Sequence, residues 1–182
     1  HGRRDTPAIF IDTSHNASIS GVTVYHAGGM GTIAQNSSNL TITGFTVKIT
    51  PGSGRMFSTC ADALHIVNCT GEITIEGSVL ENQFDDALNV HGVYTIISEW
   101  ITPSAAKAKL AHRSQKGLCI GREGDRIRLC EQNSLMPVEE AVIKKIEQID
   151  LEYTAIEFDK NLSVAGKTGL ALENLDLRPS RV

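Results

Sequence analysis

A short pattern that returns along the chain constrains its fold more than any other feature. Asn16-Ala-Ser-Ile-Ser-Gly-Val-Thr-Val24 reappears as Asn39-Leu-Thr-Ile-Thr-Gly-Phe-Thr-Val47 and, less closely, as Gly71-Glu-Ile-Thr-Ile-Glu-Gly-Ser-Val79. The marker glycines Gly21, Gly44 and Gly77 lie 23 and 33 residues apart, which sets a coil of about two dozen residues with one insertion of about ten. Within each copy Ile and Val alternate with Ser and Thr, the period of a β-strand with one buried face. So short a strand cannot bury that face alone, but successive coils stacked in register form parallel sheets around a continuous core. The expectation is an all-β chain built on a right-handed parallel β-helix, with Ile19, Ile42 and Ile75 stacked in one interior column. A leucine-rich repeat would need a Leu spacing and a helical half-repeat that are absent, and a β-sandwich would not require near-copies at one period.

Each coil carries a second short strand, within Ala8–Asp12, Gly31–Gln35, Asp62–Val67 and Asp86–Val90. Asn16, Asn39 and Asn68 sit near the bends, where their side chains can bond to turn backbone. The N-x-[ST] triplets at Asn16, Asn36, Asn39, Asn68 and Asn161 follow from the same composition and are read as solenoid chemistry rather than glycan sites. From about Trp100 the repeat stops. Residues 101–110 read as a connection, and Gly117–Ile120, Asp125–Cys130 and Tyr153–Phe158 as short strands between turns. Val138–Ile149 fits a helix or a strand, and its neighbours favour a strand. The division expected is β-helix over 1–98, an inserted small β-barrel or sandwich-like region over 99–172, and a return toward the β-helix over 173–182. Solenoids need caps and none is visible, so the expectation is a fragment of a longer protein.

Composition narrows the partners. With 41% hydrophobic residues the 182-residue chain can build a core, and its net charge of −4 excludes a polybasic nucleic-acid or membrane-surface binder. No apolar run approaches the roughly 18 residues of a membrane span, and the opening HGRRDTPAIFID lacks the apolar core of a signal peptide. Cys60, Cys69, Cys119 and Cys130 have neither zinc spacing nor a disulfide framework and are expected to be small buried thiols.

The chemistry concentrates where two coils align. Cys60-Ala-Asp62-Ala-Leu-His65 superposes on Asp85-Asp86-Ala-Leu-Asn89, with Asp62 over Asp86, 24 residues apart. Neighbouring parallel strands lie about 4.8 Å apart, so two like charges there are unfavourable unless a proton, a cation or a substrate is shared. Asp85 adds a third carboxylate, and it shares a face with Asp86 only if the chain bends there. Asp caps on backbone amides, or a ladder binding a stabilising Ca²⁺, would account for the same residues structurally. Gln35, Arg55, His65, Asn89 and His91 surround the aspartates with the donors and acceptors a sugar requires. Glycoside cleavage needs one protonated and one ionised carboxyl group, and Asp62 is expected as general acid, with Asp86, assisted by Asp85, as base.

Gly28-Gly-Met-Gly-Thr-Ile-Ala-Gln35, Arg55-Met-Phe-Ser-Thr-Cys-Ala-Asp62-Ala and Glu81-Asn-Gln-Phe-Asp-Asp-Ala-Leu-Asn-Val-His-Gly92 resemble the α-1,3-galactosidases of glycoside hydrolase family 110, as do Gly124-Asp-Arg-Ile-Arg and Ala171-Leu-Glu-Asn-Leu. The resemblance runs along essentially the whole chain. It implies a β-helix with inserted barrel material and exo-hydrolysis, with inversion, of terminal α-1,3-linked galactose, including the blood-group B determinant. It places the acidic catalytic centre at Asp62, Asp85 and Asp86, with no metal and no cofactor. It also implies a carbohydrate partner and a secreted or periplasmic location, while charge and hydropathy leave no nucleic-acid partner and no membrane span; a homo-oligomer is allowed. Polygalacturonase-like enzymes carry acidic triads on the same fold, but a polyuronate needs a basic cleft and residues 1–91 hold only Arg3, Arg4, Lys48 and Arg55. A pectate-lyase-like reading would add Ca²⁺ and an Arg base. A structural or adhesin β-helix gives no reason to stack Asp62 on Asp86.

Overall fold

A computed structural model describes residues 6–182; the first five residues of the opening stretch read for a leader lie outside the described residues. The described residues divide into two compact units, one of residues 6–92 with 178–182, the other of residues 93–177.

The first unit is a parallel β-helix. Its coils carry β1 (Ile9–Asp12), β2 (Ser18–Ser20) and β3 (Thr23–Val24), then β4 (Thr32–Gln35), β5 (Ser38–Thr43) and β6 (Thr46–Val47), then β7 (Leu64–Val67), β8 (Thr70–Glu76) and β9 (Val79–Leu80), and finally β10 (Leu88–His91). Equivalent strands pair in parallel, giving sheets ordered β1-β4-β7-β10 and β3-β6-β9 and a third that runs through β2, β5 and β8. Ile19 pairs with Ile42 and Ile42 with Ile75, so the expected interior column exists. Phe45, Leu40, Leu64 and Ile66 fill the space around it. Ile42 is 1% exposed, and Ile42→Ala should cost about 2–5 kcal/mol, the usual range for truncating a buried aliphatic, read as a lowered thermal midpoint of the intact protein.

The bends account for the asparagines. Thr13, Asn36 and Asn68 all have positive φ and donate their amides to Gln35, Val67 and His91 of the next coil. They form one corner column. Asn16 and Asn39 form another, in which the Asn39 amide donates to Asn16 Oδ1 at 3.0 Å. In the third coil Gly71 replaces Asn (φ +70°), because a Cβ there would stand 2.1 Å from Asn39 Oδ1. Following the Asn36 and Asn68 corner, the fourth coil has Gly92, and there the chain leaves the stack. It returns as β17 (Pro179–Arg181), which pairs in parallel with β8. An entire unit is thus inserted where the second and third coils have a two-residue bend.

That unit is a closed six-stranded barrel of β11 (Tyr94–Thr102), β12 (Ala105–Leu110), β13 (Arg126–Cys130), β14 (Pro137–Gln148), β15 (Tyr153–Phe158) and β16 (Ala171–Asn174), ordered β11-β12-β15-β14-β13-β16. Closure removes the exposed strand edges that an open sheet would leave. Ile97, Ile127, Leu129, Ile143, Ile156 and Phe158 fill its core. Several expectations are corrected here. The boundary at 98/99 falls inside β11, whose Thr95 and Ile97 are buried, and β16 closes the barrel against β11 and β13, so the inserted unit runs from 93 to 177. Residues 101–110 are not a connection but a hairpin of β11 and β12 turning at Pro103-Ser104. Its Ala106, Ala108 and Leu110 point inward between lysines, an alternation whose apolar partner is a weak strand former. Gly117–Ile120 is not a strand: the amides of Gly117 and Leu118 bond to Leu151 and Gln115 rather than to a ladder. Residues 138–149 are strand, within β14.

All four cysteines are thiols. Cys69 and Cys130 are buried, and burial pushes both thiols above their usual range. Cys60 is half-buried, and Cys119, in the segment that is not a strand, is exposed.

Candidate active site

The β1-β4-β7-β10 sheet sets the site out by register. Ala8 donates to Met30 O, Gly31 to Asp62 O at 2.9 Å and Ala63 to Asp86 O at 2.9 Å, so Met30, Asp62 and Asp86 occupy one column just ahead of the strands. Coils two and three approach closely there, because Gly31 has no side chain: a Cβ on it would lie 2.4 Å from Ala63 O. Asp62 is 5% exposed, while Asp85 and Asp86 are exposed. The chain bends at Phe84-Asp85, held by Ser58 N donating to Asn82 O and Phe84 N to Thr59 O. This bend answers the alternation problem posed by two adjacent aspartates. Asp62, Asp85 and Asp86 each bring a carboxylate oxygen within 4.8 Å of the others, the one such group of metal-ligating side-chain types among the described residues. Like charges near this distance repel by roughly 1 to 4 kcal/mol per pair, from bulk water to an effective dielectric near 20. That spacing would admit a cation, and exposed acidic groups commonly show it without one.

The flanking side chains follow the same register. Asp62-Ala-Leu-His65 and Asp86-Ala-Leu-Asn89 each close a contact three residues long: His65 Nδ1 lies 2.6 Å from Asp62 Oδ2, and Asn89 Nδ2 donates to Asp86 Oδ2 at 3.2 Å. His65 and Asn89 are register partners. His91 crosses to His65, with facing Nε2 atoms 3.0 Å apart and rings edge-on, and its Nδ1 lies 2.8 Å from Gly92 O. The structure therefore gathers the three aspartates with His65, Asn89 and His91. Gln35 lies on the same sheet, in register through Val67 with His91. Arg55 is drawn elsewhere: its guanidinium contacts the His26 ring at 2.6 Å, and no ion pair joins it to the aspartates among the described residues. Sequence reasoning missed His26, which no pattern marks, and the spacing role of Gly31, whose signal was the glycine-rich run before Thr32.

The family description "Glycosyl hydrolases family 28" matches residues 1–127, more than half of the chain. The chain belongs to glycosyl hydrolases family 28. Family 28 is a parallel β-helix family, in keeping with the stacked coils. A second description, "GLAA-B beta-barrel domain II", matches residues 106–169, inside the observed barrel. Among curated relatives of this family 28 chain, alpha-1,3-galactosidase A of Shewanella woodyi is 29% identical over 99% of the chain and 29% of its own length. Alpha-1,3-galactosidase B of Parabacteroides distasonis is 30% identical over 97% of the chain and 31% of its own length. An alpha-1,3-galactosidase B of Phocaeicola vulgatus is 31% identical, with 97% of the chain and 31% of the relative covered. The chain spans about three-tenths of the length of these relatives, which carry the name that the motifs resemble.

Proposed function

We propose that the intact protein is an exo-acting glycoside hydrolase that releases terminal α-1,3-linked galactose, blood-group B structures included, with inversion and without metal or cofactor. The observation that carries this reading is the convergence of Asp62, Asp85 and Asp86 from two coils, in a chain whose relatives are named α-1,3-galactosidases. Asp62 acts as general acid on the leaving oxygen, and Asp86, assisted by Asp85, as the base that takes a proton from water. His65, Asn89 and His91 supply hydrogen bonds around them, and Gln35, on the same sheet, completes the substrate-binding set, while Arg55, held against His26, stands apart from it. A secreted or periplasmic location suits a substrate carried on cell-surface glycans.

Inversion rests on the resemblance. Inverting pairs stand about 6.5–9.5 Å apart and retaining pairs about 5–5.5 Å, whereas the nearest oxygens here converge within 4.8 Å. Inversion thus requires the reacting oxygens to be the ones that diverge. Linear and branched α-1,3-galactosides assayed with and without chelator should give free galactose at equal rates in both conditions, and proton NMR at early times should show the β-anomer. Early α-anomer would make the enzyme retaining, with a nucleophile in place of the base. Activity confined to uronides, or abolished by chelator, would overturn the reading.

A further inference from the structure

We propose that His65 and His91 are positioning residues that oblige the Asp62 side chain and its partners to hold one transferable proton, an inference that rests on Asp62 being the general acid. One chain of contacts fixes how many hydrogens these residues hold. Its far end is the backbone carbonyl of Gly92, which can only accept, so the 2.8 Å contact with His91 Nδ1 puts a proton on that nitrogen. The Nε2 atoms of His91 and His65 face each other at 3.0 Å. One of them must carry a proton, because two bare ring nitrogens would meet lone pair to lone pair. The 2.6 Å contact of His65 Nδ1 with Asp62 Oδ2 needs a third proton, on either atom.

Three contacts therefore hold three protons, whereas an ionised carboxylate and two neutral imidazoles supply only two. The extra proton sits on Asp62 with both rings neutral, or on one ring with Asp62 ionised. In every arrangement the three residues together have no net charge, which removes one of the negative charges gathered within 4.8 Å. Among the described residues, the groups in register with this chain do not supply the proton otherwise: Ile33 pairs with His65 from β4, Asn89 pairs with it from β10, Gln35 pairs with Val67, and the preceding bend brings the carboxylates of Asp85 and Asp86.

In turnover, Asp62 gives its proton to the leaving oxygen as the glycosidic bond breaks. Asp86 takes a proton from the attacking water as the new C–O bond forms, and later releases it to solvent. The Asp62–His65 contact is left one proton short, and uptake from water through the exposed His91 restores it, so each cycle is proton-neutral.

The decisive variant is His91→Gln. The glutamine amide can donate to His65 Nε2, which satisfies the chain with Asp62 ionised and so discharges the proton while keeping the hydrogen bond. In the intact enzyme, kcat on an α-1,3-digalactoside should fall at least about tenfold, a part of the 10²–10⁴ typical of general acid–base catalysis. A nitrophenyl α-galactoside, whose leaving group needs little protonation, should lose clearly less. Wild-type kcat on the digalactoside, or equal loss on both substrates, would overturn the proposal. Ring ¹⁵N NMR of the wild-type protein tests it without turnover: His91 Nδ1 should be protonated and the facing Nε2 atoms not both bare. Two bare Nε2 atoms would refute the inventory. A wild-type protein inactive on both galactosides would instead refute the function, with the NMR result still deciding the proton count.

Discussion

Asp62→Asn and Asp86→Asn should each reduce turnover of α-1,3-galactosides by the intact protein at least about 10²-fold, the low end of what general acid–base groups contribute. The two losses should differ in kind. Asp62 is the buried member, joined to His65 and through it to His91, so its proton can be replaced from within that chain. Asp85 and Asp86 are exposed, where an attacking water can be held. A nitrophenyl galactoside should therefore rescue Asp62→Asn and not Asp86→Asn. The opposite pattern would reverse the roles, and near-normal activity in Asp62→Asn, Asp85→Asn and Asp86→Asn would make the aspartates structural. Stability separates chemistry from folding. Asp86→Asn removes one like charge from a group of three within 4.8 Å, so its thermal midpoint should not fall.

A loss of stability as large as that of a core truncation is expected from Gly31→Ala. The new Cβ would stand 2.4 Å from Ala63 O and 3.2 Å from Val47 Cγ2. The carbonyl cannot swing aside, because it accepts the Thr32 amide at 3.0 Å in the rung that joins β4 to β7. Relief must come from separating the second and third coils beside Asp62. Overpacking alone costs about 1–3 kcal/mol and sometimes more, and strained ladder bonds add to it, so the total should reach about 3 kcal/mol. Activity should fall with stability, since the Gly31 amide also holds the Asp62 carbonyl. Gly28→Ala is the control. Among the described residues its Cβ would meet nothing nearer than Thr6 Cβ at 3.9 Å, and its unfolding midpoint should stay close to wild type. Equal midpoints for the two variants would mean that the coils are not so closely spaced.

Where each feature could be read depended on whether its cause was local. The Ile19, Ile42 and Ile75 column was legible because a solenoid repeats in space what it repeats in sequence, and β-branched alternation marks the buried face. The stacking of Asp62 over Asp86 followed from the same register. The Ala105–Leu110 strand was not legible, since its inward residues are mostly Ala and only the barrel gives them something to bury against. Gly117–Ile120 misled in the other direction, its apolar residues being buried without a ladder partner.

The coil, its period, the column of the carboxylates and the side chains eligible to serve them were all readable from residue order, because each is a consequence of residue type at fixed spacing along stacked strands. Which of the eligible side chains meet is a matter of three-dimensional contact. His91 is 26 residues from His65 and offset diagonally across the sheet, so their facing nitrogens depend on rotamers and register together. Arg55 leaves the aspartates for His26 because the residue 48–58 segment lies over the preceding coil, where Ser58 O also receives the Ala27 amide. The Phe84-Asp85 bend, set by bonds to Ser58 and Thr59 of the neighbouring turn, is what brings a third carboxylate to the other two. Each of these depends on contacts between coils, which a repeat announces in general but does not specify residue by residue.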